Sequence, residues 1–275
     1  MKSWFLNKKI YIEEGLNKFF LNFGRRTIAF VYFLGGLGTL TGMCFYQMFL
    51  PPFKKESILE QAKRAGFDSL GIVSLVALFM GFIYALQTAY FMQRLGSEIY
   101  IASLVAISLV RELGPVITGL VVAGRVGAAI TAELGTMQVT EQIDALETLA
   151  TNPIKYLVVP RVIALSLMLP LLTLYADFVG ILGSYMICVY KLGISSNMYI
   201  HATFTALFFK DLWTGLAKTV FFGLIIATVS CYEAFNVEGG AEGVGQATTK
   251  AVVKTFIMII AADCFFTALF YFIFP

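Results

Sequence analysis

An all-α integral membrane protein is the fold class this sequence predicts, and three observations predict it. Of the 275 residues, 59% are hydrophobic and 13% charged, whereas a soluble domain averages roughly 45–50% apolar and about 25% charged. The apolar residues gather in runs near 28–50, 69–93, 99–122, 162–190, 212–232 and 255–274, each close to the ~20 residues with which a helix crosses a bilayer. Finally, no Gly-Lys pair and therefore no GxxxxGK[ST] phosphate loop occurs anywhere in the chain. So much of the length is spent in spans that a large soluble catalytic or nucleotide-binding domain is excluded. Energy must come from a partner subunit or a gradient. A net charge of +3 is too small to point to nucleic acid.

The N-terminal stretch, 1–26, is basic. Ile12, Leu16, Phe19, Phe20 and Phe23 recur at helical spacing beside Lys18, Arg25 and Arg26, the pattern of a helix lying in the membrane interface. A secretory signal fits less well, because 28–50 is too long for its apolar core and lacks an Ala-x-Ala site.

Whether 28–50 crosses the bilayer is decided by counting Lys and Arg in each loop, the quantity that sets orientation. If the segment dips in without crossing, 15 basic residues lie on the cytoplasmic side and three, Arg94, Lys191 and Lys210, outside; if it crosses, the count is nine against nine. The re-entrant arrangement is the better one. Gly35, Gly36, Gly38 and Gly42, with Pro51-Pro52 behind them, also suit an irregular or kinked element. The expected organisation is an interfacial and re-entrant element over 1–50. Five spans follow over 51–275, with the N-terminus inside and the C-terminus outside.

Within the spans fall five ionisable residues: Arg111 and Glu112 in the second, Asp177 in the third, Lys218 in the fourth and Asp263 in the fifth. A charge at the centre of a spanning helix costs about 2.5–3.5 kcal/mol on insertion scales, so each needs a partner, a cavity or a subunit interface. Arg111 and Glu112 are adjacent, point to different faces and cannot share one contact, which favours the lining of a polar path. Asp177 and Lys218 lie nearer span ends, where snorkelling is a cheap alternative. Gly114, Gly119, Gly124, Gly127, Gly180 and Gly183 offer surfaces for close helix approach.

Between the second and third spans, GRVGAAITAELGTMQVTEQIDALETLATNPIKYLVVP (124–160) is moderately polar. Thr140 is placed to cap a short helix over about 140–150, carrying Glu141 and Asp144 in its first turns and ending at Asn152-Pro153. Val139, Ile143, Leu146 and Ala150 make an apolar stripe beside an acidic one of Glu141, Asp144 and Glu147. Such a helix suits docking into a partner's groove. It has no Lys or Arg between Arg125 and Lys155, unlike membrane-surface helices. Cys44, Cys188, Cys231 and Cys264 read as small buried hydrophobes, and His201, without Cys or His neighbours, as a loop or interface residue; no metal site is expected.

The run LVRELGPVITGLVVAGRVGAAITAELGTMQVTEQIDALETLATNP (109–153) resembles the signature of the MlaE (YrbE-type) permeases. Similarity continues through PRVIALSLMLPLLTL (160–174), GLAKTVFFG (215–223), GQATTKAVV (245–253) and ADCFFTALF near Asp263. The resemblance implies a homodimeric membrane subunit of an ABC transporter in a bacterial inner membrane. It implies movement of phospholipids to or from a periplasmic MCE-domain protein, in support of outer-membrane lipid asymmetry. No cofactor is then expected in this chain, ATP and Mg being held by a cytoplasmic ABC ATPase partner, and a STAS-domain protein is a further candidate partner. On the same ground Arg111, Glu112, Lys218 and Asp263 are the functional charges of a lipid cavity, and 140–150 is the coupling helix that meets the ATPase through Glu141, Asp144 and Glu147. The chain would not itself be an enzyme. The competing readings are an ion- or proton-coupled secondary transporter using Glu112, Asp177 and Asp263 as relays, against which no internal repeat is visible, and a membrane scaffold without transport.

Overall fold

A computed structural model describes residues 2–50 and 55–273, with side chains from Gly24 onward except Arg26. The amphipathic stripe from Ile12 to Phe23, and Pro51-Pro52, lie outside the described residues and side chains. The chain divides into two units, Met1–Met43 and Cys44–Pro275.

The first unit is the N-terminal part of helix α1, Lys2–Met48. The expectation of an irregular element is corrected here: the helix runs unbroken past all four glycines. A glycine costs a helix only about 1 kcal/mol relative to alanine. The hydroxyls of Thr39 and Thr41 donate back to the carbonyls of Gly36 and Leu37, within the helix rather than against it. The part from Thr27 to Met48, 22 residues, is long and apolar enough to cross a membrane, one of six such helices among the described residues.

The second unit is a bundle of helices with no strand among its described residues. Helix α2, Lys55–Ala65, turns through Phe67–Ser69 into α3, Leu70–Arg94. A long broken helix follows: α4 (Ile101–Ser108), a π turn (Leu109–Leu113), α5 (Gly114–Val122), a second π turn (Ala123–Gly127) and α6 (Ala128–Val139). After the short α7, Gln142–Thr148, a π turn (Ile154–Val158) leads into α8, Val159–Met186. The short α9, Ser196–Ala206, precedes α10, Phe209–Phe235, and α11, Gly240–Ile273. Two of the π turns end two residues before a proline, Pro115 and Pro160. Proline lacks the N–H its turn needs and crowds the carbonyl four residues back, and widening the turn to π register relieves both.

Small residues decide the packing of α3 on α8. Val73, Ala77, Gly81, Ala85 and Ala89 are spaced by four and all buried. They face a second four-residue stripe on α8, Ala176, Gly180 and Ser184. A Cβ on Gly81 would overlap the carbonyl of Gly180, and one on Gly183 would lie 2.7 Å from the carbonyl of Leu78. Backbones in contact maximise dispersion between helices where no hydrophobic force acts. A Cβ on Gly223 of α10 would likewise lie 2.6 Å from the Leu165 carbonyl of α8. Of the four cysteines, Cys44, Cys188 and Cys231 are buried, whereas Cys264 is exposed, against expectation.

The short helix expected over about 140–150 departs from its expected form at both ends. The helix begins at Gln142, not at Thr140, whose hydroxyl turns back to the Thr136 carbonyl at 2.8 Å. Glu141 instead makes the corner, in the left-handed region at φ 59°. Ala150, also left-handed at φ 58°, follows the helix end as a C-terminal left-handed residue. Asn152 does not terminate α7 but opens the next helix, its Oδ1 accepting from the N–H groups of Ile154 and Lys155.

Candidate functional site: a buried charge cluster beside a π turn

The cluster begins with a backbone defect. Pro115 offers no N–H to the carbonyl of Arg111, its partner in α register, and in the π turn Gly114 donates to Leu109 instead of Val110. The carbonyls of Val110 and Arg111 are thereby released toward α10. Lys218, whose side chain is 1% exposed, donates to the Arg111 carbonyl at 3.3 Å. Its ammonium also reaches Glu112 Oε2 at 2.6 Å, Asp263 Oδ1 at 3.0 Å and Thr267 Oγ1 at 2.7 Å. Thr267 in turn donates to the Glu112 carboxylate. One lysine thus joins the π turn, α10 and α11, and it is fully enclosed rather than snorkelling.

Arg111 turns to a different partner, Asp211 at the start of α10, 3.4 Å away. Asp211 is buried and its other oxygen accepts the Phe208 N–H at 3.1 Å, so the carboxylate caps α10 while holding the guanidinium. The side chains of Arg111 and Glu112 remain 38% and 36% exposed. The pair therefore presents one positive and one negative group at the surface of an otherwise apolar bundle, each anchored from behind by a buried counter-charge. A desolvated charge left with no counter-charge is costly, and Lys218 has two carboxylates to meet that need. What the set offers a ligand is a guanidinium able to fork around an anionic oxygen, beside a carboxylate for a cationic or hydrogen-bonding group.

Of the charges singled out from the sequence, Glu112, Lys218 and Asp263 come together here, with Arg111 joined through its carbonyl. Asp177 does not take part. It too fails to snorkel, being 5% exposed in the middle of α8. Asp211 and Thr267 were not anticipated. Thr267 lies four residues after Asp263 and so on the same face of α11, a signal within reach. Asp211 was hidden because α10 starts at Phe209, three residues before the apparent span.

At the end of the bundle that carries α7, a second charged cluster ties three helices together. Glu133 of α6 pairs with Arg161 of α8 at 2.8 Å and with Arg64 of α2 at 3.4 Å. Arg161 is buried and its other arm donates to the Leu157 carbonyl. Arg125 reaches the Ser69 hydroxyl at 2.6 Å and the Arg64 carbonyl at 3.2 Å. These arginines had counted only toward orientation, yet they brace the helix that leads into α7. Replacing Glu133 by Gln should leave Arg161 buried without its counter-ion, at a cost of about 3 kcal/mol. Thermal unfolding of the purified protein would show it, and an unchanged midpoint would contradict the bracing role.

On α7 itself Ile143 is buried, while Glu141, Asp144 and Glu147 are all exposed. Ile143, Asp144, Glu147, Pro153, Ile154 and Phe235 are among the residues bordering an open groove of about 640 Å³.

The family model described as Permease MlaE matches residues 58–269. A probable ABC transporter permease protein of Rickettsia felis is 45% identical over 248 residues, covering 90% of this chain and 96% of that protein. A probable ABC transporter permease protein of Synechocystis is 41% identical, covering 82% of this chain and 86% of its own. The protein Trigalactosyldiacylglycerol 1, chloroplastic, of Arabidopsis thaliana is 42% identical over 213 residues, 78% of this chain and 61% of that one.

Proposed function

The chain belongs to the MlaE permease family and is a multi-pass permease subunit of an ABC transporter; from that premise we propose that its cargo is phospholipid, moved between a bacterial inner membrane and a periplasmic MCE-protein pathway that supports outer-membrane lipid asymmetry. The observation that carries this reading is the pair Arg111 and Glu112, half-exposed on an apolar bundle and fixed from behind by Asp211, Lys218 and Asp263. A bilayer lipid brings acyl chains that need only an apolar surface and a phosphate that needs a charged one. Arg111 supplies the phosphate contact, and Glu112 answers the hydrogen-bond donors of the headgroup. The Arabidopsis relative, named after a galactolipid, supports a lipid cargo.

Two copies of the chain would enclose the path between them. The exposed acidic edge of α7, Glu141, Asp144 and Glu147, would seat in a cytoplasmic ATPase that binds ATP and Mg. Glu133 and its arginines would pass the ATPase's motion to α2 and α8. In this arrangement the N-terminus is cytoplasmic and the C-terminus periplasmic, with α1 entering the bilayer without crossing, as the distribution of Lys and Arg favours. MCE-domain protein would meet the periplasmic face, and a STAS-domain protein the ATPase side.

Reconstitution of the permease with its ATPase and MCE partners in vesicles tests both halves. Glu112→Ala should slow transfer of labelled phospholipid by about 10-fold or more, the loss expected for one charge-assisted hydrogen bond, with the complex still assembled because Asp263 continues to pair with Lys218. Asp144→Lys with Glu147→Lys should release the ATPase, as followed by co-purification. Normal transfer in the first variant would remove phospholipid headgroup binding from the cluster, and normal assembly in the second would remove α7 as the docking element.

A further inference from the structure

Gln47 at the end of α1, Ile58 of α2 and Lys155 at the start of the helix that continues as α8 line a cavity of about 360 Å³. Three apolar stretches meet there. One stops at Met48, another begins at Lys55 and a third at Ile154, so the cavity lies where bilayer-length runs end, on the side of the bundle that carries α7.

The lining divides by chemistry. Leu50, Ile58 and Val159 are apolar, whereas Gln47, Lys155 and Tyr156 bring an amide, an ammonium and a phenol. No Asp or Glu lines the cavity among the described residues, and Lys55, three residues before Ile58 and so on the same side of α2, adds a second cation. Lys155 and Tyr156 each already engage another group within the fold. An ammonium has three N–H donors, so one partner leaves it able to serve a second. The N–H groups of Ile154 and Lys155 are taken by Asn152, and recognition falls to the side chains. Cations and donors without a carboxylate select a phosphate-like anion. A soluble anion has no use for three aliphatic side chains at a bilayer boundary, whereas an anionic lipid satisfies both halves of the lining, as basic pockets between spanning helices do elsewhere.

We propose that this cavity binds the phosphate headgroup of an anionic phospholipid from the leaflet on the α7 side, at a site separate from the cluster around Arg111 and Glu112. The bound lipid touches the connection behind α7. Ala150, Thr151 and Asn152 form a wall shared with the groove that Asp144 and Glu147 border on its other side. Ala150 holds that wall in a left-handed conformation at φ 58°, unfavourable for alanine, so the connection depends on what packs against it. A headgroup in the cavity steadies one face of the wall, and with it the C-terminal end of α7. Its bearing on ATPase docking rests on the reading of α7 given above; the lipid site itself does not.

The test places the full-length permease in nanodiscs of phosphatidylcholine with and without phosphatidylglycerol. Phosphatidylglycerol should be retained by the extracted protein in native mass spectra, raise its thermal midpoint and slow amide exchange over 142–152. Lys155→Gln and Gln47→Leu should each weaken phosphatidylglycerol binding by about 10-fold, the loss of one charge-assisted hydrogen bond. Each variant is compared with itself in neutral lipid, so a general loss of stability cancels. Equal binding by Lys155→Gln and wild type would overturn the proposal, as would slowed exchange confined to 109–113, which places the lipid at the charge cluster. The same protection from inorganic phosphate in neutral lipid would also overturn it, by assigning the cavity to a soluble anion.

Discussion

Replacement of Lys218 by Met is expected to abolish transport and to strip most of the folded permease from the membrane, because it leaves Glu112 and Asp263 facing one another without a cation. In the intact protein the ammonium lies 2.6 Å from one carboxylate and 3.0 Å from the other. It also covers the Arg111 carbonyl that Pro115 leaves unpaired. Removing one member of a buried ionic set costs about 3–5 kcal/mol, a large part of the roughly 5–15 kcal/mol by which a protein is stable. The decisive control is the triple variant Lys218→Met, Glu112→Gln, Asp263→Asn. With no charge left to neutralise, its thermal midpoint should return toward wild type. Transport should remain absent, because Glu112 no longer offers a charge to the proposed lipid cargo. If stability stays low in the triple variant, packing around the lysine stem rather than charge balance explains the loss. If transport returns with stability, the cluster holds the helices together and does nothing for the cargo.

This arrangement was partly legible beforehand, for a physical reason. Charges are so expensive within a span that the few present stand out, and those at 112, 218 and 263 converge because each relieves the cost of the others. The spans were legible too, since hydropathy tracks length. What escaped was geometry that leaves composition unchanged. A π turn contains the same residues as an α turn, so nothing in LVREL announces that the Val110 and Arg111 carbonyls will be freed, although Pro115 two residues later was a clue. Four glycines in α1 were read as suiting an irregular or kinked element, yet their combined cost did not interrupt the helix. Helices α2 and α9 escaped because they are short and of mixed composition, and Asp211 because a helix cap looks like a loop residue until the helix start is known. For Asp177 the charge was visible, but not that neither carboxylate oxygen would find a hydrogen-bond partner among the described residues, since that depends on what the neighbouring helices bring to it.

Gly215→Ala should be nearly as damaging as the loss of Lys218, even though it removes no charge. An alanine Cβ at 215 would overlap the carbonyl oxygen of Val110, a backbone atom that cannot rotate away. Helix α10 would have to withdraw from the π turn. Lys218 is three residues farther along the same helix, on nearly the same face, so a withdrawal that clears the methyl also lengthens its contact with Glu112. Overpacking of this kind costs about 1–3 kcal/mol, and in a network assembled at hydrogen-bond distance a displacement of a fraction of an ångström already weakens every member. Transport should therefore fall by more than the loss of stability alone accounts for. Gly124→Ala makes the comparison, since its Cβ would meet nothing nearer than a Phe256 ring atom at 3.8 Å; it should leave both properties unchanged. The measurement is lipid transfer normalised to folded protein for each variant. Equal activity per folded molecule in Gly215→Ala and wild type would show that the close approach of α10 to the π turn serves the fold and not the charge cluster.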